Sequence, residues 1–100
     1  MDKKIAVKAH ETGEGIIVGA CDAHLVGKKL KEGKLTLDIS ERFFFERHAG
    51  EDELIELIKG CITANLVGET AIGAYCRKNP HAKGNVKKVG GVPHLQVFNL

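Results

Sequence analysis

Long apolar runs are missing from this sequence. The longest, Ile16-Ile17-Val18-Gly19-Ala20-Cys21, is six residues. A membrane span needs about 18, and a secretory signal core also needs more than this stretch offers. A strong charge of one sign is missing too. Fifteen basic and thirteen acidic residues give +2, so net charge alone names no polyanionic partner. There is no tryptophan and one tyrosine, which leaves base stacking to Tyr75 or the phenylalanines. No C-x-x-C pair exists among Cys21, Cys61 and Cys76, which excludes a zinc knuckle and a redox dithiol. These cysteines sit in apolar surroundings, where a free thiol behaves as a small hydrophobe. The simplest compartment is a reducing, cytoplasmic one.

What is present fits one domain over residues 1–100. Apolar residues make up 43% of the chain, ordinary for a globular protein. Lys4 to Ala9 alternates with a period of two, Lys4 and Lys8 on one side and Ile5, Val7 and Ala9 on the other. A turn over 10–15 leads to a second strand from Ile16 to Cys21, apolar on both faces and therefore expected at the centre of a sheet. Gly19 within it predicts a bulge or a close backbone approach. Residues 22–33 read as a polar, lysine-rich connection, with Asp22 capping the turn that follows it. From Lys34 to Ser40, Leu35, Leu37 and Ile39 form the dry face of a further strand. Phe43, Phe44 and Phe45 cannot all point inward from a strand; at least one is expected to lie on an edge, pack under a loop or meet a partner, and together they are candidates for an apolar contact with a partner or a second copy.

Gly50 opens a helix with Glu51, Asp52 and Glu53 in its first turn, favoured by the macrodipole. Leu54, Leu57, Ile58 and Cys61 give it an apolar stripe, and Gly60 weakens or ends it. A second helix is expected over Leu66–Lys78, capped by Asn65 and stopped by Asn79-Pro80. Short strands follow at Asn85–Val89 and Leu95–Phe98. The expected fold is therefore α+β, a mostly antiparallel sheet with two helices packed on one face.

Charge is unevenly distributed along this chain. Residues 41–56 carry net −4 and residues 57–100 carry net +5, with no acid after Glu69. Arg77, Lys78, Lys83, Lys87 and Lys88 can form a phosphate-binding patch with Lys28, Lys29 and Lys31 if the fold joins them. The plain alternative is a solvated rim of scattered lysines.

Four constellations carry candidate chemistry. Gly90-Gly91-Val92-Pro93-His94 is either a cradle whose N–H groups face an anion, with His94 beside it, or a tight turn between strands. It matches neither a Walker A loop nor a dinucleotide fingerprint. Cys21 and Asp22 end a buried strand, and Cys21 with His94 would make a nucleophile and base; packing is the plain alternative. Cys21-x-x-His24 is half a metal site whose second pair of ligands is missing, so no metal and no cofactor are expected. Asn65 and Glu69 flank a helix start, where Glu69 either compensates the dipole or joins a pocket with His94.

Several of these stretches together resemble a known family. Glu11-Thr12 with Gly15, Cys21-Asp22 with Leu25, Gly27 and Lys28, Gly33, and Leu37-Asp38-Ile39 through Phe43-Phe44 match it. The sharpest matches are Ala64-Asn65-Leu66-Val67-Gly68-Glu69 and Gly90-Gly91-Val92-Pro93-His94. On them the chain resembles domain-of-unknown-function family 424, small archaeal proteins without an assigned activity. The resemblance implies an archaeal cytosolic protein with a single α+β domain. His24, Cys61 and Cys76 depart from the family pattern, which weakens a metal or multi-cysteine site further. Phe45 to Gly50 is individual to this chain.

The resulting expectation is a non-catalytic module that binds RNA or a ribonucleoprotein, with translation as its setting. Its ligand-binding residues would be Cys21, Asp22, Asn65, Glu69, Gly90, Gly91 and His94, with Lys28, Lys87 and Lys88 on phosphate. The alternatives are a small enzyme using Cys21, Asn65, Glu69 and His94, and a protein-interaction subunit or homodimer using the three phenylalanines.

Overall fold

The computed structural model describes residues 5–99. Lys4, expected in the first strand, lies outside them. β1 (Ile5–Thr12) and β2 (Gly15–Asp22) form the opening hairpin. A short 3-10 turn, Ala23–Leu25, leads into a second hairpin of β3 (Lys29–Glu32) and β4 (Leu35–Asp38). The chain continues through the single-turn α1 (Glu41–Phe44), β5 (Arg47–Ala49) and α2 (Glu51–Lys59). Then come β6 (Thr63–Val67), α3 (Glu69–Lys78), a 3-10 segment Pro80–Asn85, and the hairpin β7 (Lys87–Val89) and β8 (Val92–Phe98).

Six strands make one sheet in the order β5-β1-β2-β6-β8-β7. Every neighbouring pair is antiparallel except β2 and β6. The sheet is therefore mixed, and mostly antiparallel as the pattern predicted. The parallel pair arises because everything between Ala23 and Ile62 is one crossover from β2 to β6.

The two long helices do pack on one face. Leu54, Ile58, Ala71, Ile72 and Ala74 from α2 and α3 meet Ile5, Val7, Val18, Ala20, Ala64, Leu66, Leu95 and Val97 from the strands. Each large aliphatic side chain buried here contributes about 1.5–3 kcal/mol. The other face has a smaller core, in which Ala6, Cys21 and Val67 meet Leu25, Ile39 and Phe44 from the crossover. The fold thus has three layers, helices, sheet, and a cap of α1 with the β3–β4 hairpin. The two-layer expectation missed the third.

Four sequence readings are corrected in detail. The helix expected from Leu66 begins at Glu69, and Asn65 caps nothing because β6 runs through it. Leu66 is buried in the helix-side core and Val67 in the opposite one, which a strand accomplishes and one helix stripe does not. Gly68 then turns the chain with φ +104°, a conformation open to glycine. The strand at 34–40 shortens to β4, which pairs with the unforeseen β3 outside the main sheet. Leu35 is 62% exposed there, while Ile39 is buried beyond the strand's end. The last strand starts at Val92 rather than Leu95, because Gly90 and Gly91 complete the turn by themselves. Both have positive φ, +59° and +82°, the signature of a two-residue type I′ hairpin. The strand expected from Asn85 begins at Lys87, after the 3-10 segment.

The helix after Gly50 ends at Lys59 with Gly60 as its C-cap, as its glycine boundaries predicted. Gly19 is a close backbone approach: a Cβ there would lie 2.6 Å from the Phe43 carbonyl oxygen and 2.8 Å from its ring. Among the described residues, no helix is long and apolar enough to cross a membrane.

Candidate functional site

Asp22 ends β2 and is buried. Its carboxylate accepts hydrogen bonds from the Thr70 N–H at 3.0 Å and the Ala71 N–H at 2.8 Å. Gly68 at the N-cap has no side chain to satisfy the orphan donors of α3. An aspartate 48 positions earlier in the sequence does so instead, where the helix dipole also favours a negative charge. A Cβ on Gly68 would overlap the Asp22 carboxyl group, 2.5 Å from Oδ1. The glycine and the aspartate therefore require each other. Asp22 does not cap the turn after it, as its position in the sequence had predicted.

The diglycine turn is held in the same manner. The Gly90 N–H donates to Glu32 Oε1 at 3.0 Å. The turn packs against β3 so closely that a Cβ on Gly90 would lie 3.1 Å from the Lys31 carbonyl oxygen. The diglycine turn, which the sequence offered as an anion cradle, and the α3 N-terminus, which it did not, are thus both served by carboxylates of the chain itself. Asp22, Glu69 and Gly91 do converge, with His24 and Pro93, around a hollow of about 180 Å³. That is below the roughly 300 Å³ at which small-molecule pockets begin.

Cys21 is completely buried. Burial, with the Asp22 carboxylate as the lesser cause, pushes its thiol up to about 12. It stays protonated at neutral pH, and the thiolate is what a nucleophile needs. Cys21 pairs with Val67, and Val67 with His94. Two strand spacings, roughly 10 Å, therefore separate Cys21 from His94, beyond hydrogen-bond reach. Among the described residues no group of three or more His, Cys, Asp or Glu side chains is placed to hold a metal ion. Burial lowers the pKa of His94 below its ordinary 6.5, so the ring is neutral at physiological pH.

Of the three phenylalanines one is buried, and the other two are half-buried against histidines of the same chain. Phe44 is 3% exposed. Phe43 stacks on His10 with ring centroids 4.7 Å apart, and His10 Nε2 lies 2.9 Å from the Phe43 carbonyl oxygen. Phe45 leans on His48 at 5.0 Å.

The register reveals a second surface. On the sheet face away from α2 and α3, one row runs Ile17, Thr63, Phe98; the next runs Gly19, Asn65, Gln96; the third runs Cys21, Val67, His94, Lys87. Directly paired residues share a face. Phe43 covers the Gly19 end, and the cap buries Cys21 and Val67. Over β6 and β8 the face opens: Asn65, Thr63 and His94 are half-buried, while Gln96 and Phe98 are exposed, Phe98 to 61%. Beside it, past the end of β7, a cleft of about 630 Å³ runs between β8 and the 3-10 segment, lined by Tyr75, Asn85, Lys87, His94, Gln96 and Phe98 among others.

Asn65 and His94 therefore share one surface. Glu69 belongs to the hollow around Asp22, and Cys21 to neither. Sequence reasoning missed Gln96 and Phe98. Their signal was the alternation Leu95-Gln96-Val97-Phe98, in which the even positions face away from the helix-side core.

Lys28, Lys29 and Lys31 ride on or beside β3, and the β3–β4 hairpin packs against β7, which carries Lys87 and Lys88. All five lysines are exposed. Among the described residues none of them is in an ion pair, whereas Arg77 is paired with Glu51 and Lys59 with Glu56.

Comparison with known proteins places this geometry in a family. No curated protein matches the chain. A crystal structure of an uncharacterized conserved protein from Methanopyrus kandleri shares the fold at a TM-score of 0.80 and 27% identity, over 96% of this chain and 91% of that one. The family model described as protein of unknown function (DUF424) matches residues 9–100. The chain therefore belongs to the DUF424 family, as the asparagine-led and diglycine motifs had foreshadowed.

Proposed function

We propose that the protein is a non-catalytic RNA-binding module that presents the open half of its sheet and the neighbouring lysine edge to the ligand. The observation that carries this reading is the packing of β3, which carries Lys29 and Lys31 and follows Lys28, against β7, which carries Lys87 and Lys88; among the described residues none of these five lysines is in an ion pair. Lysines far apart in sequence become one field, and such a field attracts phosphate backbones by releasing counterions. The diglycine turn contributes shape, joining the two lysine-bearing hairpins. Its N–H groups are not needed on phosphate, because Gly90 already serves Glu32. The protonated, sealed Cys21 supports a binding role over a thiol-dependent enzyme. A cytoplasmic, archaeal setting in or near translation fits this reading.

A filter-binding titration against total RNA at two salt concentrations tests it. The expected result is retention that weakens with salt, with a log–log slope of about −0.7 for each phosphate contacted on a single strand. Absent binding at low salt, or binding indifferent to salt, overturns the proposal.

A further inference from the structure

We infer that the open half of the sheet reads unpaired bases, so that the ligand is single-stranded RNA rather than duplex. This rests on the RNA reading above and names the form of RNA that the surface accepts.

Phe98 offers the ring. It is 61% exposed at the end of β8, an unusual position for a large apolar side chain in a chain with only five aromatic residues of the Phe, Tyr and Trp class. A base has two π-faces and stacks on such a ring whatever its identity. Next along the same face, Asn65 and Gln96 are directly paired across β6 and β8. Each side-chain amide carries an acceptor oxygen beside a donor nitrogen, the pattern that base edges present. His94 follows two residues beyond Gln96 and, being neutral, adds one donor and one acceptor. Among the described residues, none of these three side chains makes a hydrogen bond within the fold, so their polar groups are free for a ligand.

Spacing and charge fit one strand of nucleic acid. Phe98, Gln96 and His94 succeed one another on one face of β8 at about 6.8 Å, comparable with the backbone span of one extended nucleotide. Lys87 stands across from His94 at the far end of the row, and β7, which carries it, packs against the lysine-bearing β3. No acidic residue lies on β6, β7 or β8. Duplex RNA cannot use this arrangement, because its bases are stacked on one another and its major groove is too deep and narrow for a flat sheet to enter.

The test measures fluorescence anisotropy of the intact protein with a short mixed-sequence RNA, once as a single strand and once annealed to its complement. The single strand is expected to bind at least about tenfold more tightly. Phe98→Ala is expected to weaken single-strand binding by about tenfold, leave duplex binding unchanged, and be rescued by Phe98→Tyr. Gln96→Ala, a second exposed position, is expected to weaken single-strand binding by a smaller factor, and thermal unfolding confirms that each variant is folded. Duplex binding as tight as single-strand binding, or a folded Phe98→Ala protein with unaltered affinity, overturns this inference and leaves the RNA reading standing. Failure of both RNAs to bind at low salt overturns both.

Discussion

The sheet face turned away from α2 and α3 is two surfaces built on the same strands. Over β1 and β2 it is sealed: Ala6 and Cys21 are buried under Phe44, Leu25 and Ile39, and Gly19 lies against Phe43. Over β6 and β8 it is open, and the residues in the same rows are Thr63, Asn65, Gln96 and Phe98. The alternation of side chains is equally regular in both halves. What differs is whether the 40-residue crossover from β2 to β6 lies on top. The covered half holds small and apolar residues because a second core requires them. The open half holds amides, an imidazole and a ring with no hydrogen-bond or ring partner among the described residues. A half-covered sheet thus separates stability from recognition on a single face.

The largest expected break in this contrast is Phe44→Ala. It removes the central ring of the covered half and should cost about 4 kcal/mol, read from the urea midpoint, whereas Gln96→Ala in the open half should stay within about 0.5 kcal/mol of the parent. Equal costs would abolish the distinction between the halves. Asp22→Ala should cost about 3 kcal/mol, since it leaves two α3 amides without their charged acceptor. Hydrogen exchange should accelerate first at the Thr70 and Ala71 amides, and unchanged protection there would refute the cap. Replacing Lys87 and Lys88 together by alanine should change stability by under about 0.5 kcal/mol, yet flatten the salt slope of RNA binding by about 1.4 for two lost phosphate contacts.

The smallest effect concerns pH. His94 has a lowered pKa in the folded state, so below the ordinary 6.5 the unfolded chain takes up the proton first and folding is penalised. Stability should therefore decline as pH falls through 6.5 and stop declining, on this account, once pH passes the folded value. His94→Gln should lose that part of the pH dependence, measured as a difference between two urea-midpoint titrations.

Much of the fold was legible because local chemistry and final environment agree. Gly50 and Gly60 bound α2, and three acids fill its first turn. Ile16 to Cys21 is apolar on both faces because both faces of β2 are covered at its C-terminal end. Gly19 announced a close approach, although not that the neighbour would be Phe43. Asn65-Leu66-Val67 misled, because an asparagine before an apolar run followed by glutamate has the same composition whether it caps a helix or crosses a sheet. Only the demand that Leu66 and Val67 enter different cores separates the two. Asp22 misled for a related reason: its partners are amides 48 and 49 positions later, and no local pattern encodes them.

By itself the sequence determined the class of fold, the surplus of positive charge after Glu69, and the sharp turn at Gly90 and Gly91, all of which depend on residue type and near neighbours. Tertiary structure alone decided that Asp22 serves α3, that Glu32 fills the diglycine turn, that two lysine clusters share an edge, and that Asn65, Gln96, His94 and Phe98 stand together in the open. Those are pairings between distant segments. They follow from strand order and register, which set which residues become neighbours once loop closure has been overcome.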